Sequence, residues 1–147
     1  MRKIRRKIFE TNSSSVHSLS ISKDGREKSY LPTDELGYIL ADYGSFGKNL
    51  EYYNTQGEKL SYLVTCCYYL SGYGDIYDCY EFQCIEDAVK EYTGAPGIKV
   101  REYYEPDIDH QSQPDRYDGI EIIDIYDKDQ VIDFIFNKYV SLKTDCD

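Results

Sequence analysis

The segment from Gly57 to Leu70 constrains the fold most, because its apolar residues recur at intervals of three and four positions. This spacing places them on one face of an α-helix. The residues of that face are Leu60, Leu63, Val64, Cys67 and Leu70. Gly72 and Gly74 follow the segment and predict the end of the helix. The segment therefore indicates a packed domain with a buried helix face.

Three other segments are predicted to be helical, and they cover residues 33–43, 85–92 and 131–142. The apolar residues of the first are Leu36, Ile39, Leu40 and Tyr43. Thr33 is its expected N-cap and Gly44 its expected stop. Gly94 is expected to end the second helix. Asp127 or Asp129 is expected to cap the third.

Alternating apolar and polar residues predict strands elsewhere. The clearest examples are residues 98–104 and 120–126. The first 22 residues are predicted to form a β-hairpin, Arg2–Ser22, with a turn over Glu10–Ser15. Asn, Ser and Thr in that turn favour hydrogen bonds to their own backbone.

Residues 44–57 and 105–119 are polar and are predicted to be loops. No internal repeat or interdomain linker divides the chain. The elements together predict a single α+β domain over residues 1–147. Its small sheet is expected to be mostly antiparallel, to include the N-terminal hairpin and to pack against three to four helices.

The charge distribution bears on possible partners. The chain carries a net charge of −10, yet residues 2–7 contain five Lys and Arg residues. The remaining residues include 12 basic and 27 acidic side chains, a balance of −15, and those from Asp75 onward carry −12. A body this negative repels nucleic acid. The 17 tyrosines add amphipathic side chains that are favoured at recognition surfaces.

The cysteine spacing and the hydropathy of the chain argue against a zinc-binding, membrane-spanning or secreted protein. The five cysteines are Cys66, Cys67, Cys79, Cys84 and Cys146, and no two have the C-x-x-C spacing of a zinc site. Buried reduced thiols in a cytosolic protein are expected, with no metal and no cofactor. No apolar run approaches eighteen residues, so no transmembrane helix is expected. The basic N-terminus is followed by Glu10 and a polar run, which is unlike a secretory signal.

The segment from Arg2 to Ser20 is the densest in reactive groups. One hypothesis combines the hydroxyls of Ser13, Ser14 and Ser15 with the imidazoles of His17 and His110, and Asp109 would orient a histidine. No G-x-S-x-G elbow accompanies them. A second hypothesis is an anion site. Its residues would be Arg5, Arg6, Asn12, Ser13, Ser14, Ser15 and His17. The third interpretation is structural, with these side chains capping the hairpin.

A metal interpretation of the polar loop is also open, because alternate aspartates suit hard cations. The residues concerned are Asp107, Asp109, His110, Asp115 and Asp118. The spacing of an EF-hand is absent, since neither a glycine nor a late glutamate falls in register. A solvated acidic loop is the favoured interpretation.

One motif carries a family resemblance. The fourteen residues from Arg5 to Ser18 read R-R-K-I-F-E-T-N-S-S-S-V-H-S, and Asp109–Ser112 reads D-H-Q-S. Both resemble elements of a family of small proteins encoded by phages and mobile elements of Gram-positive bacteria. The resemblance covers about eighteen of the 147 residues. It implies phage or mobile-element origin and action in the cytoplasm of a host bacterium, and it implies no particular reaction.

Two functional hypotheses follow. The first is an acidic binding protein that inhibits a host defence or nucleic-acid-processing complex, as anti-CRISPR proteins do, by steric and electrostatic competition. Its partner would be a host or defence-system protein with a basic nucleic-acid-binding surface, without direct binding to nucleic acid or membrane. The expected contact residues are Tyr52, Tyr53, Tyr77, Tyr80, Glu102, Tyr103, Tyr104, Glu105, Asp107 and Asp109. The alternative is an enzyme or sponge that binds a phosphate- or nucleotide-containing ligand through the serine run, His17 and His110.

Overall fold

Helices and short strands alternate along the chain. The computed structural model describes residues 7–10, 25–48, 50–72, 74–109 and 119–144. The helices are α1 (Gln56–Leu70), α2 (Tyr80–Thr93) and α3 (Lys128–Phe136). The strands are β1 (Lys7–Glu10), β2 (Ile39–Asp42), β3 (Ser45–Phe46), β4 (Glu51–Tyr53), β5 (Ile98–Arg101), β6 (Asp107–Ile108) and β7 (Val140–Thr144). The predicted α+β class is confirmed.

The strands form three small sheets. In the largest, β7 lies between β1, which runs parallel to it, and β4, which runs antiparallel. β2 pairs with β5 and β3 with β6, both in parallel. Three of the four pairings among the described residues are therefore parallel, and the predicted mostly antiparallel sheet is wrong. Parallel partners need long crossovers, and α1 and α2 lie on the connection from β2 to β5.

The predicted N-terminal hairpin is described only in part. β1 falls within the segment predicted to be its first strand, and its described partner is β7 at the other end of the chain. Residues 11–24, which would supply the turn and the returning strand, lie outside the described residues. β3 and β4 occupy the segment predicted to be a polar loop, and β6 lies in the second predicted loop.

The helix predicted over residues 33–43 is wrong. The side chain of Asp34 accepts a hydrogen bond from the backbone N–H of Leu36, and Gly37 adopts a left-handed φ of +90°. These two features form a turn that a helix does not accommodate. The chain then enters β2, in which Ile39 is buried. Leu36, assigned to the buried helix face, is 73% exposed.

Two boundaries near the C-terminus also differ from prediction. Residues 120–126 form turns rather than a strand. Asp124 accepts a hydrogen bond from the backbone N–H of Tyr126 there, which competes with an extended conformation. Asp127 caps α3 as predicted, but the helix ends at Phe136 instead of Leu142. After a short turn, the chain continues as β7, the central strand of the largest sheet.

The core surrounds α1, and every residue from Lys59 to Cys67 is buried, whereas the apolar period predicted a single buried face. α1 packs against α2, α3 and β2. Leu63 and Val64 have no exposed surface. The helix begins with a capping box in which Thr55 and Glu58 exchange hydrogen bonds between side chain and backbone. Among the described residues, no helix has the length and apolar character needed to span a bilayer.

Two glycines give a matched stability prediction. Gly94 ends α2 with a φ of +77°, and no neighbour lies within 4 Å of a Cβ built there. Gly94→Ala is expected to destabilise the protein by about 1 kcal/mol, because only the backbone conformation is strained. Gly57 lies in the first turn of α1, and a Cβ there also meets nothing within 4 Å.

Gly57→Ala is the control. It is expected to stabilise the protein by about 0.5–1 kcal/mol, because alanine lowers the entropy of the unfolded chain and fits the helix. Urea denaturation of both variants measures the two values. Changes of equal sign would contradict the assigned backbone conformations.

Candidate functional site

The Ser/His site predicted from the N-terminal motif lies outside the described residues. This applies to Arg5, Arg6, Asn12, Ser13, Ser14, Ser15, His17 and His110. Their shared pocket stays a prediction.

The described part of the predicted metal loop is engaged within the fold. Asp107 forms an ion pair with Lys48 at 2.5 Å, and the backbone N–H of Asp109 donates a hydrogen bond to the carbonyl of Phe46. The described residues contain no group of three His, Cys, Asp or Glu side chains suited to a metal.

The predicted contact residues occupy several places. Tyr52, Tyr77, Tyr80, Tyr103 and Tyr104 are exposed, and so are Glu102 and Glu105. Tyr53 is only half-buried against the ring of Phe46, with 5.1 Å between centroids, and burial raises its pKa to about 12. The ring of Tyr80 lies beside the ring of Tyr126, with 5.8 Å between their centroids. Residues 102–105 form one continuous exposed run.

This exposed run borders a cavity of about 440 Å³. Four tyrosines and three carboxylates line it, and we call it the acidic tyrosine cavity. These residues are Tyr43, Tyr68, Tyr77, Tyr104, Asp75, Glu102 and Glu105. Its volume is typical of sites that hold a small molecule or a side chain of a partner. No lysine, arginine or histidine is among the lining residues that the structure describes.

The walls of the cavity are held by core packing. Tyr43 follows β2 and is 7% exposed, and its ring meets Tyr68 of α1 edge-on at 5.4 Å. Tyr77 lies in a 3-10 turn between the helices and packs edge-on against Phe82 at 5.4 Å. The Tyr77 hydroxyl also accepts a hydrogen bond from the backbone N–H of Val100 at 3.0 Å. The aromatic surfaces therefore keep fixed positions.

The cavity is electrically negative. Burial and, to a smaller extent, the nearby charge of Glu102 raise the pKa of Tyr43 to about 12. Arg101, the neighbour of Glu102, is engaged elsewhere, with two hydrogen bonds of 2.8 and 2.7 Å to Asp42. Among the described residues, neither Glu102 nor Glu105 has an ion-pair partner. Their charges thus face the cavity and solvent without neutralisation.

A second cavity, of about 340 Å³, lies between β2, β3, β4 and the start of α1. Its two acidic residues, Asp42 and Glu58, are both engaged within the fold. Asp42 pairs with Arg101, and Glu58 belongs to the capping box. Both carboxylates are thus occupied by contacts within the fold, whereas Glu102 and Glu105 have no such contact among the described residues, so the acidic tyrosine cavity is the stronger candidate.

Two of the four described cysteines are inert as nucleophiles, whereas a hydrogen bond with Cys67 lowers the pKa of Cys79. Cys66, Cys67 and Cys79 are buried, and Cys84 is half-buried. Burial raises the pKa of the Cys66 thiol to about 12 and that of Cys67 well above its ordinary value. These two remain protonated near neutral pH and are inert as nucleophiles.

The exposed residues at the rim of the cavity were predicted from the sequence, but the more buried residues that line it were not. Tyr77, Glu102, Tyr104 and Glu105 were expected at a surface, from charge and tyrosine content. Tyr43 was assigned to a helix face, Asp75 was counted only within the acidic surface from Asp75 onward, and Tyr68 was assigned no role. The tyrosines at 43 and 68 come together only through packing of β2 on α1, and no local pattern signals that.

Comparisons with known proteins supply no further assignment. No protein-family model matches the chain, and no match is found among curated proteins or solved structures. The function must therefore be argued from the geometry and charge of the cavity and its rim.

Proposed function

We propose that this chain is an acidic binding protein of phage or mobile-element type that inhibits a host defence or nucleic-acid-processing complex. The observation that carries the proposal is the joint placement of unpaired carboxylates and exposed tyrosines around one cavity. Carboxylates there would occupy positions that phosphates take on the basic surface of the partner. The motif from Arg5 to Ser18 supports the phage setting by resemblance.

The charge of the chain favours a basic partner. A net charge of −10 attracts positively charged surfaces over long range and speeds association. Nucleic-acid-binding surfaces are rich in lysine and arginine, which contact phosphates. An acidic protein on such a surface excludes nucleic acid by occupying the same groups.

The tyrosines supply contact area that charge alone does not. Tyr103 is 77% exposed and Tyr104 is 64% exposed, on either side of the same peptide bond. Aromatic side chains with a polar tip are enriched at the centres of protein interfaces. Burying their rings against a partner would hold a complex that the charges had brought together.

Competition with nucleic acid tests the proposal. The measurement is the concentration at which the protein displaces DNA or RNA from purified defence complexes of host bacteria, alongside protection of phage in cells carrying those systems. Glu102→Gln with Glu105→Gln is expected to raise that concentration about tenfold or more, since it removes the unpaired rim charges. The remaining inhibition is expected to depend less on salt.

A matched control separates local from net charge. Glu35→Gln with Glu121→Gln removes the same number of charges from exposed positions that do not line the cavity. It is expected to change inhibition less than about threefold. Each substitution is expected to alter stability by no more than about 0.5 kcal/mol, which circular dichroism verifies. Equal losses in both double variants, or no displacement by the wild-type protein, would contradict the proposal.

A further inference from the structure

We propose that the acidic tyrosine cavity binds a single arginine side chain of the partner protein. This inference rests on the proposed function and names the chemical group that the site recognises. Three observations support it: the aromatic lining, the unpaired carboxylates and the rigidity of the walls. A fourth is that a guanidinium already binds this combination of groups within the same fold.

The aromatic lining favours a cation with a flat, weakly hydrated surface. Four tyrosine side chains border the cavity. The face of a tyrosine ring attracts a cation, and the attraction grows where water is displaced. An arginine guanidinium is planar and less strongly hydrated than a lysine ammonium, so it loses less on entering such a cavity.

The carboxylates complete the recognition of a guanidinium. Glu102 and Glu105 lie at the rim and lack ion pairs among the described residues, and Asp75, whose side chain accepts a hydrogen bond from the backbone N–H of Tyr77, also lines the cavity. A carboxylate accepts two parallel hydrogen bonds from a guanidinium fork, which adds direction to the charge attraction. The described lining residues include no basic side chain, so none of them opposes an entering cation with a like charge.

Arg101 shows the same chemistry within the fold. Its guanidinium donates two hydrogen bonds to Asp42 and lies 5.6 Å from the ring centre of Tyr103. Just beyond the end of β5, Glu102 and Tyr104 supply a carboxylate and a tyrosine ring to the lining of the cavity. Asp42 already has the Arg101 guanidinium as its partner, whereas Glu102 at the cavity can accept hydrogen bonds from a cation of another protein.

Preformed walls limit the entropy lost on binding. The rings of Tyr43 and Tyr77 are fixed by their edge-on contacts with Tyr68 and Phe82. A hydrogen bond from Val100 also holds the Tyr77 hydroxyl. Ordering of rotamer-rich side chains opposes association, so a site that is already ordered retains more of its contact energy.

Titration with blocked amino acids tests the site directly. The probes are N-acetyl-arginine methylamide, the corresponding lysine and trimethyllysine, and citrulline, which keeps the shape of arginine without its charge. The full chain with labelled tyrosines is followed by NMR. Arginine is expected to bind with a Kd of about 1 mM, to shift the resonances of Tyr43, Tyr77 and Tyr104, and to bind about tenfold more tightly than citrulline. Lysine is expected to bind at least about threefold more weakly than arginine.

Variants link the binding to the cavity. Tyr104→Ala and the Glu102→Gln, Glu105→Gln double variant are each expected to weaken arginine binding about fivefold or more. Tyr52→Ala is the matched control, because Tyr52 is similarly exposed on β4 and does not line the cavity. It is expected to leave binding unchanged.

The outcomes separate this inference from the proposed function. Equal affinity for arginine and citrulline, tighter binding of trimethyllysine, or an equal loss in Tyr52→Ala would overturn the arginine site. Arginine binding at the cavity, without displacement of nucleic acid from any defence complex, would overturn the proposed function and leave the site standing. Inhibition that depends on Glu102 and Glu105, without arginine binding, would overturn the site alone.

Discussion

Phe82→Ala is expected to lower the free energy of unfolding by about 3–5 kcal/mol, because it empties a fully buried position. Phe82 lies on the inner face of α2, has no exposed surface and supports the ring of Tyr77 at 5.4 Å. The lost side chain leaves a cavity that neighbouring helices fill only in part. Urea denaturation followed by circular dichroism measures the change.

Phe82→Leu is the matched control and is expected to cost about 1–2 kcal/mol, because most of the apolar volume remains. Both variants remove the aromatic edge from Tyr77. Under conditions where each is folded, arginine binding is therefore expected to weaken in both. A Phe82→Ala protein within about 1 kcal/mol of the wild type would contradict the packing of α2 onto the 3-10 turn.

α1 and α2 were predictable because each carries a pattern of its own in the local sequence. The face of α1 repeats at three and four residues over fifteen positions, and α2 ends at Gly94 in the left-handed conformation that favours glycine. Such patterns depend on neighbours along the helix and need no information from distant residues. α3 was predicted with Asp127 or Asp129 as its cap, and its predicted end at Leu142 lies six residues beyond Phe136, since apolar residues in the following strand continued the pattern.

The failures share a physical cause. Residues 33–43 carry apolar side chains at helical spacing, but a turn at Asp34 and Gly37 breaks the helix. β2 then gains its backbone hydrogen bonds from β5, a partner almost sixty residues away in sequence. Parallel pairing over that distance leaves no local trace, because each strand reads only as a short apolar run. The mostly antiparallel sheet was wrong for the same reason.

The exposed residues of the candidate site were predictable from the sequence, whereas the cavity behind them was not. Charge counting indicated an acidic C-terminal half, and the run from Glu102 to Glu105 is indeed exposed. The ion pair between Asp107 and Lys48 shows that not every carboxylate there is available. A neutralisation experiment aimed at the site therefore changes Glu102 and Glu105 and leaves Asp107 intact. The cavity behind them depends on tertiary packing.

Lys59 is the second position at which a large effect on stability is expected. It lies in the first half of α1, is 1% exposed, and had no predicted role. Its Nζ donates to the backbone carbonyls of Asn137 at 3.1 Å and Val140 at 3.0 Å. The ammonium thereby ties α1 to the turn between α3 and β7, the strand at the centre of the largest sheet.

Lys59→Ala is expected to lower the free energy of unfolding by about 3–5 kcal/mol. Removing the buried stem leaves a cavity, and two buried carbonyls lose a charged donor. Lys59→Met keeps most of the stem and removes only the ammonium. The two carbonyls lose this donor in both variants, so the difference between the variants measures the cavity that alanine leaves. The methionine variant is therefore expected to be at least about 1 kcal/mol more stable than the alanine variant.

Hydrogen exchange locates the effect that denaturation measures. Loss of the Lys59 ammonium is expected to speed exchange of the backbone amides around the turn at Asn137–Val140 in both variants, because the local contact that orders the turn is gone. Amides of α2, which lies away from these bonds, serve as the internal reference. Unchanged exchange at the turn, or a Lys59→Ala protein within about 1 kcal/mol of the wild type, would show that β7 is held in place without the buried lysine.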